Sequence, residues 1–159
     1  MAAQRAFTAM GFPYGVDEDA AYIIAWLELN NFEGVALLSK LINELNGKFD
    51  GKIKINNLNK TINLQNKSIL MKGSGLIDFM NSKMKDKNKI SLKIVNCKNG
   101  IFFLPLLYKN SERLNLCQLI FCDKVDEINT FNIIKNKITF NRKKNDNLLQ
   151  KNSVTIIID

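Results

Sequence analysis

The chain has 159 residues, 46% of them hydrophobic and 24% charged, with a formal net charge of +8 and no histidine. A chain of this length buries about 70% of the surface its unfolded form exposes, so it needs neither disulfides nor a structural metal to fold, and it suits one domain better than two. The missing histidine removes the usual general base near neutral pH, the Ser-His-Asp and Cys-His mechanisms, and most zinc sites.

Residues 1–46 read as helices. Ala6, Phe7 and Met10 give the first an apolar edge, and Gly11-Phe12-Pro13-Tyr14-Gly15 breaks it. Asp17 is placed as the N-cap of the second, with Glu18 and Asp19 at the positive end of its dipole. Ile23, Trp26, Leu27 and Asn30 fall on one face of this helix, with Tyr22 and Leu29 on its flanks. A third helix is predicted over Glu33 to Leu45, with Val35, Leu38, Leu41, Ile42 and Leu45 at helical spacing and Asn46-Gly47 as its stop.

From residue 48 the period changes to two. Lys52 to Ile55 and Thr61 to Leu64 alternate as half-buried strands do, around a turn at Asn56 to Lys60. Lys72-Gly73-Ser74-Gly75 opens a short predicted helix over Leu76 to Met84, followed by a charged loop to Lys89. Further strands are predicted at Ile90 to Cys97, Ile101 to Tyr108, Leu114 to Phe121, Phe131 to Ile134, Ile138 to Phe140 and Val154 to Ile158. The connections are hairpin-sized, with Asn99-Gly100 the clearest hairpin signal, so the strands pair antiparallel. Asn141 to Asn152 is a polar surface loop. The expected fold class is α+β: N-terminal helices packed on a mostly antiparallel β-sheet, one domain over 1–159 with an acidic helical part (1–46) and a basic strand-rich part (47–159).

Charge follows the same division. The first 46 residues carry two basic and six acidic groups, a net of −4, and the remainder 21 and nine, a net of +12. A basic part attracts anionic partners such as nucleic acid. The plainer reading is compositional, because 20 lysines against three arginines, with 22 asparagines, is the usage of an AT-rich genome, and nucleic-acid readers also use arginine forks. Three cysteines without an export signal point to reduced thiols and a cytoplasmic location. The longest apolar stretch, residues 100–108, is too short to span a bilayer.

Ala6 to Leu38 resembles the start of a bacterial family of unknown function, the domain of unknown function three-seven-two-six. The likeness rests on the Gly-x-Pro-x-Gly loop (Gly11, Pro13, Gly15), the acidic helix start (Asp17, Glu18, Asp19), the Ala-Trp-Leu-Glu run (Ala25 to Glu28) and a restart at Gly34. Gly73 to Asp78, and Ile101 to Leu107 with Pro105, correspond less closely to the family's later segments. The resemblance implies a bacterial cytoplasmic protein and supplies no catalytic residue.

Lys72, Ser74 and Asp78 form the candidate ligand-binding segment. Backbone amides at a helix start hold phosphate, Lys72 adds charge, and Asp78 is the one candidate catalytic carboxylate. No nucleotide-binding glycine pattern accompanies them, and a flexible connection with Ser74 as helix cap is the plainer account. No cofactor is implied. Asp17, Glu18 and Asp19 lack the spacing of a calcium loop, and Cys117 and Cys122 fall on opposite faces of a strand, so no metal site is read. Phe102, Phe103, Tyr108, Phe121, Phe131 and Phe140 are either core or a base-stacking sheet. Phe12, Tyr14 and Trp26 are the candidate interface anchors. The leading functional expectation is a non-catalytic accessory or interaction module, as a homodimer or a small partner of a metabolic enzyme. The alternatives are a small-molecule binder or enzyme using residues 72–78, and nucleic-acid binding by the basic sheet.

Overall fold

The computed structural model describes the backbone of residues 2–53, 55, 61–124, 127–141 and 151–159, and their side chains apart from 122–124, 127 and 128. Its helices are α1 (Ala2–Ala9), α2 (Val16–Leu29), α3 (Gly34–Leu45), α4 (Ile69–Lys83) and α5 (Phe103–Asn110). Its strands are β1 (Thr61–Asn63), β2 (Ile90–Val95), β3 (Cys117–Lys124), β4 (Glu127–Ile134), β5 (Lys137–Asn141) and β6 (Val154–Ile158). They form one sheet in the order β1-β2-β6-β3-β4-β5, antiparallel at every pair except β1–β2. The fold is α+β, with the N-terminal helices and a mostly antiparallel sheet that the periodicity predicts.

One sheet face is apolar and carries Ile94, Ile156, Leu119 and Phe131, all buried. α5 lies directly on it, touching β3 and β4, and α2 and α4 pack around α5. The opposite face carries Lys93, Thr155, Ile120 and Thr130 in one row across the sheet, none of them buried. A single hydrophobic cluster joins Phe7 in α1 to Ile158 in β6.

The largest difference from the expected elements is at residues 101–108. They form a 3-10 turn (Gly100–Phe102) and α5, not a strand. Phe103, Leu104, Leu106 and Leu107 are all buried, because this helix sits between the sheet and two other helices. A helix covered all round has no polar face, so its sequence is a continuous apolar run that a buried strand shares. Pro105 sits in its first turn, where the missing N–H is no loss. Asn99-Gly100 therefore makes no hairpin. Gly100 is required for another reason: a Cβ there would lie 2.4 Å from Val154 Cγ1.

β1 is joined to β2 through α4, a crossover long enough for parallel pairing. Residues 52, 53 and 55 form no strand, and the turn at 56–60 lies outside the described residues. α4 begins at Ile69, not Leu76, and its cap is Ser68, whose Oγ accepts from the Leu70 N–H at 3.2 Å. The β4–β5 hairpin forms as expected, with Lys135 and Asn136 both at positive φ, the backbone a two-residue turn of this twist needs.

Asp17 is not the N-cap of α2 but lies in its first turn, with Gly15 at the cap. Its buried carboxylate accepts from the Thr8 hydroxyl at 2.8 Å and from the Gly15 and Glu18 N–H groups, fastening α1 to α2. On α3 the buried stripe is Gly34, Leu37, Leu41 and Leu45. Val35 and Ile42, expected on the core side, point outward.

Candidate functional site

α4 explains the fate of the Lys72–Asp78 segment. Residues 72–75 are inside the helix, so their N–H groups are turned into its own ladder and offer no phosphate cradle. Ser74 and Asp78, four apart, share one face; Lys72, two residues before Ser74, cannot. Lys72 is only 4% exposed; its ammonium donates to the Lys52 carbonyl and lies 3.5 Å from Asp50 Oδ1. It clasps the segment after α3 onto α4. The Asp50 carboxyl is held below its usual range by the Lys52 N–H and, after the opposing effect of burial, by the Lys72 charge.

Ser74 and Asp78 open into a cleft of about 340 Å³. α4 supplies Ser74, Ile77 and Asp78, α2 supplies Asp19, and α5 supplies Leu106, Lys109 and Asn110. The turn after α5 adds Glu112 and Arg113. Much of this polarity is already committed. Lys109 Nζ is 3.1 Å from Asp19 Oδ1 and 5.3 Å from the centre of the Tyr22 ring. Asn110 receives a hydrogen bond from Asn81 at 3.0 Å and donates to the Leu106 carbonyl. Glu112 accepts from Asn136 at 2.7 Å, which anchors the β4–β5 turn. Ser74, Asp78 and Arg113 make no side-chain hydrogen bond or ion pair among the described residues. The cleft thus presents a hydroxyl, a carboxylate and a guanidinium side by side. No base is placed to activate Ser74, and Asp78 is exposed, so the arrangement contains no nucleophile–base pair.

Lys109, Asn110 and Arg113 were not legible as site residues. Read as a helix, 106–113 places Leu106, Lys109, Asn110 and Arg113 at i, i+3, i+4 and i+7 on one face. Read as a strand, they scatter.

Residues 1–91 match the family described as Protein of unknown function (DUF3726). The chain belongs to that family. No curated protein and no solved structure shows significant similarity to it. The match confirms the resemblance seen at Ala6 to Leu38 and extends it across β1 and α4. The DUF3726 segment therefore contributes Asp19, Ser74 and Asp78 to the cleft, while α5 and the residues around it lie beyond the matched range.

The interface candidates separate. Phe12 is buried between Phe7 and Phe49, with ring centres 5.0 and 5.1 Å away. Tyr14 is 90% exposed in the loop before α2. Trp26 is half-buried, against Tyr108 at 5.3 Å and Phe32 at 6.3 Å. Phe102, Phe103, Phe121 and Phe131 are buried in the core and present no ring to a nucleic-acid base. No group of His, Cys, Asp or Glu among the described residues is arranged to hold a metal, and no described helix is long and apolar enough to cross a membrane. Burial pushes the Cys97 thiol up to about 12 and the Cys117 thiol up to about 11.

Proposed function

We propose that this DUF3726 protein is a non-catalytic interaction module that binds a protein partner, or a second copy of itself, on the face formed by α2 and α3. The observation that carries this reading is the outward stripe of α3. Val35 (57% exposed), half-buried Leu38 and Ile42 (44% exposed) lie at i, i+3 and i+7, and Leu29 at the end of α2 is 83% exposed. The inner stripe of α3 packs on α2 and half-buried Leu38 also packs against the core, which leaves Val35, Ile42 and Leu29 as the outward side chains that the fold does not cover. Glu28, whose carboxylate accepts from the Val35 N–H at 2.9 Å, borders the stripe, which favours a partner helix carrying basic residues around an apolar seam. The test is light scattering and affinity capture from the source cytoplasm, with wild type and a V35E/I42E double variant. Association that the variant abolishes, at unchanged thermal stability, supports the reading. A strict monomer that captures no protein overturns it.

A second reading is favoured by the Ser74–Asp78–Arg113 cleft, whose three polar side chains are uncommitted. It assigns the protein a small zwitterionic or polar ligand. A metabolite screen by thermal shift tests it: stabilisation lost in D78N and R113Q supports it, and no stabilising compound counts against it.

A further inference from the structure

Asp78 and Arg113 line the same cleft of about 340 Å³, carry opposite charges, and pair neither with each other nor with any other group among the described residues. Both are set on fixed supports. Asp78 is one turn after Ser74 on α4. Arg113 follows Ser111, which is fully buried and whose hydroxyl accepts from the Asn136 N–H at 3.0 Å. Glu112, between them, accepts from the Asn136 side chain at 2.7 Å. Across the cleft, Lys109 is drawn to Asp19 at 3.1 Å. The described residues that border the undescribed internal ones lie elsewhere. Lys52 and Ile53 meet Lys72 and Gly75, on the other flank of α4 from Ser74. Lys124, Glu127 and Asn141 are at the end of the sheet remote from the Lys135–Asn136 turn. The Lys151 carbonyl accepts from Gly100, before the start of α5, whereas Asn110 is at its end.

Two opposite charges that share one small cleft without pairing have a simple complement, a molecule that carries both charges a short distance apart. We propose that the cleft binds a free α-amino acid, its carboxylate on the Arg113 guanidinium and its ammonium on the Asp78 carboxylate. The proposal rests on the small-ligand reading above and names the ligand's class. The planar guanidinium fork matches a carboxylate with two parallel hydrogen bonds. An ammonium has three donors; Asp78 takes one, and the Ser74 hydroxyl, one turn away on the same face, takes another. The cleft is at the lower end of the range of about 300–1,000 Å³ that holds small organic ligands, which suits a molecule of amino-acid size. Ile77 and Leu106 are buried, so the floor offers little apolar surface, and a small or polar side chain is favoured over a large apolar one.

The experiment is an NMR titration of the full chain, because solvent-exposed charges give weak affinities. The probes are glycine, L-alanine, L-serine and L-asparagine, the N-acetyl and carboxamide derivatives of the tightest binder, and 4-aminobutyrate and glycerol. At least one α-amino acid moves the amides of Ser74 to Asp78 and Lys109 to Arg113. Each derivative, lacking one of the two charges, binds at least about tenfold more weakly. R113Q weakens the amino acid by about tenfold or more and leaves the carboxamide unchanged, and D78N weakens it by about as much and leaves the N-acetyl derivative unchanged. The proposal is overturned if no α-amino acid moves these amides, if either derivative equals its parent, or if either variant, folded by circular dichroism, binds the amino acid as wild type does. Binding of 4-aminobutyrate or glycerol without any α-amino acid overturns it and leaves the small-ligand reading standing. If none of the probes binds, the proposal falls, and the metabolite screen decides the wider reading by itself.

Discussion

Replacing Gly34 by alanine tests the packing that holds α3 in place. An added Cβ would lie 2.4 Å from the Ile24 carbonyl oxygen, 3.0 Å from the Glu28 nitrogen and 3.1 Å from Leu27 Cβ. The two nearest are backbone atoms of α2, which cannot rotate aside, so the first turn of α3 must move. Overpacking of this kind costs about 1–3 kcal/mol. The greater helix propensity of alanine returns about 1 kcal/mol at most, and less in a first turn. The expected result is a net loss of about 1–2 kcal/mol, or a melting temperature lower by about 2–8 °C for a chain of this size. Gly75 is the control, because its Cβ would meet only Ile53 Cδ1, at an ordinary 3.8 Å, on an exposed turn of α4. G75A should gain about 0.5–1 kcal/mol from propensity alone. Thermal unfolding followed by circular dichroism reads both. Opposite signs support the close α2–α3 contact; a G34A that melts at or above wild type refutes it.

The Asp17 carboxyl is held below its ordinary value of 3.8, chiefly by the Thr8 hydroxyl, so its contribution is complete above that value and disappears as pH falls through the folded value. Asp50 acts in the same sense. The urea midpoint should therefore be flat from about pH 5 to 7 and fall below about pH 4, with a shallower acid limb in D17N; an unchanged limb would remove Asp17 from the account. In a C122S background, Cys97 and Cys117 should resist a disulfide reagent at pH 8 until the protein unfolds, and labelling of the native state within minutes would contradict their burial. K72M should cost about 1 kcal/mol in denaturant midpoint, the hydrogen bond to the Lys52 carbonyl, because Asp50 stays in contact with water. No change would show that the clasp adds no stability.

Where one face of an element meets the core and the other meets water, its period was readable. Residues 61–64 show this best: Ile62 and Leu64 are buried and alternate with exposed Thr61 and Asn63, as the sequence alternates. α5 failed for the opposite reason, since burial on every side erases the period that distinguishes 3.6 from 2. α3 is apolar on both its faces, so its helical nature was legible and its phase was not: the side turned inward is decided by Gly34, which lets the backbone of α3 approach α2. The same limit governs the sites. Ser74 and Asp78 belong together because both lie on α4, a local fact, whereas Arg113 joins them only through the packing of α5 against α4.

Photo-crosslinking from single positions tests the interaction reading most directly. A photoreactive residue at position 42, on the outward stripe of α3, is compared with one at position 88, an exposed site in the loop after α4. The account predicts one discrete protein adduct from position 42 in the source cell and none from position 88. The same adduct from both positions, or none from position 42, would contradict it.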